Sequence, residues 1–124
     1  MNETILFVDD DAAIRRVMGR GLRLKGYTVF EAENAERALA LFNAERTSIR
    51  LLIADVMMPG MDGPTLACRL TEASPGLCVI LVSGYSDPFT VAGLPGARMR
   101  LLTKPFGLDL LVRTAAELLD AQRS

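Results

Sequence analysis

Asp9 and Asp10 close the apolar stretch ILFVDDD, Asp55 closes RLLIAD, Ser83 closes LCVILVSG, and Lys104 follows RLLT in LLTKPF. Crowding carboxylates at the end of an apolar run is unfavourable, because each one disfavours ionisation of the next. Converging carboxylates are tolerable with a cation, and oxygen-only ligands without His or Cys suit Mg²⁺ or Mn²⁺. A lysine would add a compact positive charge and a serine a hydroxyl donor. Taken singly these residues are ordinary: a D-D pair after a strand is commonly a helix cap and a solvated turn, and Lys-Pro is commonly a turn. Their joint occurrence, each at the carboxyl end of an apolar run and in the order Asp-Asp, Asp, Ser, Lys, is what points to a site.

The chain contains no histidine. That removes Ser–His and Cys–His dyads, imidazole metal ligands and an internal phosphohistidine, so any acid–base or phosphoryl chemistry runs through carboxylates, lysine and hydroxyls. With 124 residues, 50% of them hydrophobic, the chain is long enough for one domain with a real core and too short for two. Its 14 basic and 15 acidic residues argue against general electrostatic capture of nucleic acid or of an anionic membrane. No run has the length of a membrane span, and Met1-Asn2-Glu3 lacks the basic start and apolar core of a signal peptide, so a cytoplasmic location is expected. Cys68 and Cys78 have neither the partners nor the spacing of a zinc site and read as two ordinary thiols.

The elements that must position these residues alternate from end to end. TILFV (4–8) is a strand, followed by a helix from about Asp11 to Lys25 whose inner face is Ile14, Val17, Met18 and Leu22. YTVFEA is a second strand, expected at a sheet edge and ending in Glu31-Ala32-Glu33. Asn34 caps a helix with Ala35, Ala38, Leu39 and Phe42 inward. RLLIAD (50–55) is a third strand, and Pro59, Gly60 and Gly63 punctuate the turn after it. A helix follows through Leu66, Ala67 and Leu70. LCVILVSG is a fourth strand and RLLT a short fifth. The last helix, about Gly107 to Ala121, carries Leu108, Leu111, Val112, Ala115, Leu118 and Leu119 in helical period. Between the fourth and fifth strands, Asp87-Pro88 opens a helix that Gly93, Pro95 and Gly96 break soon after. Such alternation predicts a doubly wound α/β parallel sheet with helices on both faces, and near-continuous apolar strands agree with burial on both sides. Ligands of such sheets bind beyond the carboxyl ends of the strands, at the topological switch point.

With those elements in place, ILFVDDD, LLIADVMMPGMDG, VILVSG and LLTKPF resemble the receiver (response-regulator) domain of two-component phosphorelays, and the resemblance covers essentially the whole of residues 1–124. It implies a flavodoxin-like, five-stranded sheet of strand order 2-1-3-4-5. It also implies that Asp55 is the phosphoacceptor, charged by a histidine kinase or a histidine phosphotransfer protein. Asp9, Asp10, Asp55 and the backbone carbonyl of Met57 would hold Mg²⁺, with Asp10 binding directly and Asp9 mainly through water. Ser83 stands where the family places its switch hydroxyl, and Lys104 where it places its invariant lysine. Asp11 falls outside the acidic pair and is read as the cap of the first helix. DGPTL and SGYSD look most like receivers attached to hybrid sensor kinases, such as the cell-cycle hybrid kinases of alphaproteobacteria. An isolated single-domain receiver fits equally. Such a domain catalyses only its own phosphorylation and dephosphorylation. No DNA-binding segment is expected, since the last helix uses up the C-terminus, and a monomer without membrane contact is expected as well.

Two features depart from the family pattern. Leu101 stands where an aromatic residue is common, and the helix around 86–96 is broken, so the 84–98 segment is expected to switch by ordering or shifting. Arg15, Arg16, Arg20, Arg23 and Lys25 read as a solvated face of the first helix, or more sharply as a docking surface. Two other functions use the same residue types: an aspartate-nucleophile phosphatase of the haloacid dehalogenase kind, and a pseudo-receiver that binds without phosphorylation. The first typically has a D-x-D motif and a cap domain, against VDDDAA and no room for a cap here. The complete acidic set argues against the second.

Overall fold

The computed structural model of the protein describes residues 3–84 and 98–123. The irregular helix expected around Asp87 to Gly96, and the 84–98 segment apart from Gly84 and Arg98, lie outside the described residues. Each apolar run forms a strand: β1 Thr4–Val8, β2 Thr28–Ala32, β3 Ile49–Asp55, β4 Cys78–Ser83 and β5 Met99–Thr103. They make one 5-stranded parallel sheet in the order β2-β1-β3-β4-β5. The described helices are α1 Ala12–Leu24, α2 Ala35–Glu45, α3 Gly63–Ala73 and α4 Leu108–Arg123.

The strands are apolar throughout because both faces of the sheet are covered. Successive strand residues point to opposite faces. Leu6, Val8, Leu52, Ala54 and Leu81 pack with Ala38 and Phe42 of α2 and with Leu66 and Leu70 of α3. Their neighbours Ile5, Phe7, Leu51, Ile53 and Ile80 pack with Leu22 of α1 and with Leu111, Ala115, Leu118 and Leu119 of α4. Full burial of each such Leu or Ile contributes roughly 1.5–3 kcal/mol, and a core on each face holds the sheet between them. The Cys78 thiol is buried and donates to the Leu118 carbonyl at 3.6 Å, while Cys68 is half-buried. Both cysteines are free.

Asp11 and Asn34 cap their helices as expected, and Asp62 caps α3. The Asp11 carboxylate accepts from the N–H groups of Ala13 and Ile14 at 2.9 and 3.2 Å, Asn34 from Arg37 at 2.8 Å, and Asp62 from Thr65 at 2.8 Å. Each cap contributes about 1 kcal/mol.

Two expectations change. Val17 is 61% exposed rather than inward. At about 100° per residue, Ile14, Met18, Gly21 and Leu22 share the buried stripe of α1, whereas Val17 and the exposed Leu24 lie on its flank. Gly63 is not turn punctuation but the buried first residue of α3. A Cβ there would stand 2.3 Å from the Asp55 carbonyl oxygen, 2.9 Å from its carbon and 3.1 Å from the Val56 Cα. The helix thus approaches the end of β3 as closely as a glycine allows, and the Gly63 N–H donates to the Val56 carbonyl at 3.0 Å.

Gly63→Ala is therefore expected to destabilise the protein by about 3 kcal/mol, the upper end of ordinary overpacking, because the obstructing atoms are backbone. Gly76→Ala, whose Cβ would meet nothing within 4 Å, is the matched control and should be near neutral. Urea unfolding midpoints of the two variants check this; equal midpoints would contradict the close approach.

Candidate functional site

The sheet order reverses between β1 and β3, so the gap beyond their carboxyl ends is the switch point. Their register pairs Val8 with Ala54, and the next residues, Asp9 and Asp55, leave the sheet side by side. Asp10 follows at the surface. One carboxylate oxygen from each of Asp9, Asp10 and Asp55 lies within 4.8 Å of the others. Asp9 and Asp55 are only 3% and 6% exposed, whereas Asp10 is exposed.

Local hydrogen bonds aim the two buried carboxylates. Asp9 Oδ1 accepts from the Asp11 N–H at 2.8 Å, and Asp55 Oδ1 accepts from the Met57 N–H at 3.2 Å. The second Asp55 oxygen accepts from Lys104 Nζ at 2.9 Å. Lys104 arrives there because β5 lies beside β4 with Ser83 opposite Thr103, and the Lys104 N–H donates to the Ser83 carbonyl at 2.8 Å. The Lys104–Pro105 bond is cis. Ser83 is buried at the end of β4, one strand from Asp55, and its hydroxyl donates to the Gly84 carbonyl at 3.1 Å. The Met57 side chain is 59% exposed.

All the sequence-derived residues therefore gather on one edge of the sheet. Arg15 belongs with them and was not singled out from its neighbours. Its guanidinium donates to the Asp9 backbone carbonyl at 2.7 Å, fixing the carboxyl end of β1 against α1. Arg23 also leaves the solvated face, donating to Glu31 and to the Val29 carbonyl, each at 2.7 Å. Arg16, Arg20 and Lys25 are exposed. Four arginines lie on this helix and Lys25 caps its end, and nothing local distinguishes the two that reach back to backbone.

Burial pushes the Asp9 carboxyl above its ordinary 3.8, against the Asp11 N–H; the Asp55 charge raises it further, Lys104 lowers it, and Asp10 raises it. Desolvation pulls the Lys104 amine down, but the hydrogen bond and charge of Asp55, with the charges of Asp9 and Asp10, outweigh it and leave the amine above 10.5. Ionised carboxylates at this edge are thus short of positive charge, with one ammonium among three acids. The donor set is all oxygen, anionic and partly open to solvent, which fits a hard divalent cation.

The sequence matches the response regulator receiver domain family over residues 5–116. The chain belongs to that family. The receiver domain is 38% identical over 120 residues to the sensor kinase CckA of Brucella abortus (strain 2308), covering 96% of this chain. It spans 13% of that kinase, and 26% of a transcriptional regulator it also matches. A receiver domain from the hybrid histidine kinase CckA superposes with a TM-score of 0.72 at 37% identity, over 98% of this chain and 99% of that one. A CheY-like receiver domain protein from Methanospirillum hungatei JF-1 superposes with a TM-score of 0.87 at 30% identity, over 99% and 98%. The likeness to hybrid-kinase receivers thus appears in sequence and in structure. No helix among the described residues is long and apolar enough to cross a membrane.

A group whose folded pKa is raised contributes stability that is present below its unfolded pKa and lost as pH rises through the folded value. For the receiver's Asp9 this means that ionisation near neutrality destabilises the metal-free fold. Asp9→Asn keeps an oxygen for the Asp11 N–H and removes that charge. The metal-free variant is expected to be more stable than the parent near neutral pH, with the gain shrinking to nothing as pH falls toward 3.8. Urea titrations across that range, with chelator present, check it; a variant less stable at neutrality would contradict the assignment.

Proposed function

We propose that this receiver domain, taken as residues 1–124, accepts a phosphoryl group on Asp55 from a phosphohistidine donor and changes conformation in response. The observation that supports this best is the arrangement around Asp55: two further carboxylates within 4.8 Å of it and the Lys104 ammonium 2.9 Å from one of its oxygens. A carboxylate so placed is a nucleophile with the surroundings that phosphoryl transfer needs, which are chiefly positioning and charge compensation. An Asp55 oxygen forms the new bond to phosphorus as the bond from phosphorus to the donor imidazole breaks, with that electron pair leaving on the imidazole nitrogen. The product is an acyl phosphate.

Asp9, Asp10, Asp55 and the Met57 carbonyl would hold Mg²⁺, or Mn²⁺ in its place, with Asp10 binding directly and Asp9 mainly through water; the ion would supply positive charge against the phosphoryl oxygens. Lys104 is placed to follow charge from the free carboxylate to the phosphoryl group, as a point cation able to bind either. The Ser83 hydroxyl, released from the Gly84 carbonyl, has the donor capacity for another phosphoryl oxygen. Since the chain holds no histidine, the donor is a histidine kinase or a histidine phosphotransfer protein, or a kinase segment joined to this domain. The domain turns over only its own phosphoryl group, and it acts in the cytoplasm where such donors are charged.

Acetyl phosphate with Mg²⁺ is expected to add one phosphoryl group per chain by intact mass, and Asp55→Asn is expected to abolish it. A phosphopeptide that still maps at wild-type stoichiometry in Asp55→Asn would sink the reading. Asp10→Ala should keep the fold and weaken Mg²⁺ binding by about tenfold or more, a loss of at least roughly 1.4 kcal/mol. Titration of the metal shows this directly, and an unchanged affinity would remove Asp10 from the ligand set.

A further inference from the structure

Helix α1 carries two glycines, Gly19 and Gly21, within 13 residues. Local preference does not account for them, since glycine costs about 1 kcal/mol relative to alanine in a helix interior. Both are buried, and their surroundings differ in kind. A Cβ on Gly19 would meet Glu31 Oε2 at 2.7 Å, the far end of a flexible side chain. A Cβ on Gly21 would overlap one side chain at three atoms: Leu108 Cδ2 at 2.2 Å, Cδ1 at 2.6 Å and Cγ at 2.9 Å. Leu108 could not escape that overlap by a tip rotation, so its presence against the α1 backbone requires the notch.

Leu108 is the first residue of α4, four positions beyond Lys104. The short turn 104–107 is thus held at two ends. At one end the Lys104 N–H is bonded to the Ser83 carbonyl at 2.8 Å. At the other, Leu108 is seated in Gly21. Between them a cavity of about 250 Å³ is lined by Ile14 and Met18 of α1 and by Lys104, Pro105 and Phe106 of the turn. The notch at Gly21 therefore fixes how closely the α4 end of the turn approaches the helix. At its other end the same helix bonds the Asp9 carbonyl through Arg15 at 2.7 Å. One helix thereby holds both Asp9 and the turn that carries the lysine.

We propose that Gly21 is a positioning residue for Lys104: by admitting Leu108 to the α1 backbone it sets the reach of the 104–107 turn, and with it the approach of Nζ to Asp55. This rests on the reading of Asp55 as acceptor, so the test has a readout that does not need phosphorylation. The chain has two lysines, Lys25 and Lys104, and the exposed Lys25 is an internal reference for acylation by an amine-reactive ester, followed by peptide mass. Gly21→Ala should raise the labelling of Lys104 relative to Lys25 several-fold as the ion pair lengthens, and Gly19→Ala should leave it unchanged. With acetyl phosphate and Mg²⁺, Gly21→Ala should slow phosphorylation by about tenfold, the scale expected when a catalytic group is displaced by a fraction of an ångström to an ångström. In a Lys104→Ala background Gly21→Ala should cost nothing further. Parental labelling and rate in folded Gly21→Ala would overturn the proposal, as would an equal loss of rate with and without Lys104. If Gly21→Ala does not fold, Leu108→Ala alone, which removes the knob without a clash, should loosen Lys104 in the same labelling assay, and parental labelling there would overturn it equally. If the parent itself takes no phosphoryl group, the functional reading fails while the labelling ratio still decides the positional one.

Discussion

Two buried carboxylates leave neighbouring parallel strands at the same level, and the rest of the site answers their repulsion. Like charges about 5 Å apart repel by roughly 3 kcal/mol at an effective dielectric of about 20, a large share of the net stability of a domain this size. The protein does not avoid the cost by moving one acid away. Strand register dictates the proximity, because Val8 opposite Ala54 makes Asp9 the neighbour of Asp55. Partial relief comes from three directions: the Asp11 and Met57 N–H groups at the carboxylates, the Lys104 ammonium at Asp55, and displacement of the Asp9 titration toward its neutral form. What is left over is an attraction for positive charge at the switch point of the sheet.

The helices share the work unequally. On one face, α2 and α3 close the core, and α3 starts so near the end of β3 that Gly63 touches the Asp55 carbonyl. On the other, α1 and α4 close the core and also carry the fittings of the site: the Asp11 cap, Arg15 on the Asp9 carbonyl, and Leu108 seated against Gly21. Small displacements on that second face therefore reach the chemistry, whereas equal displacements near the far ends of the strands would not.

The architecture and the site were legible in the residues for different reasons. Strands could be read because both faces of a parallel sheet are buried, so each strand is an unbroken apolar run. Site residues could be read because polar groups at the ends of such runs stand out, as Asp9, Asp55, Ser83 and Lys104 do. Asp11 and Asn34 cap helices in a local way that sequence spacing expresses. Gly21, Gly63 and Arg15 were not legible, because each owes its role to a partner brought near by the tertiary fold: Leu108, the Asp55 backbone and the Asp9 carbonyl. Val17 was misplaced because its spacing from Ile14 suits an apolar stripe, while the covered arc of α1 runs from Gly21 through Ile14, Met18 and Leu22 to Gly19, away from Val17.

Asp55 ends the central strand of the sheet, with β1 and β4 bonded along its two sides and a core above and below. Opening that strand means breaking two ladders and both cores together, so its amides should exchange with solvent chiefly through global unfolding. The strand beneath Asp55 is in this sense an anvil. A change at the Asp55 side chain therefore meets a strand held on four sides, and the groups free to answer it are those on the turns beside it, such as Lys104 beyond β5.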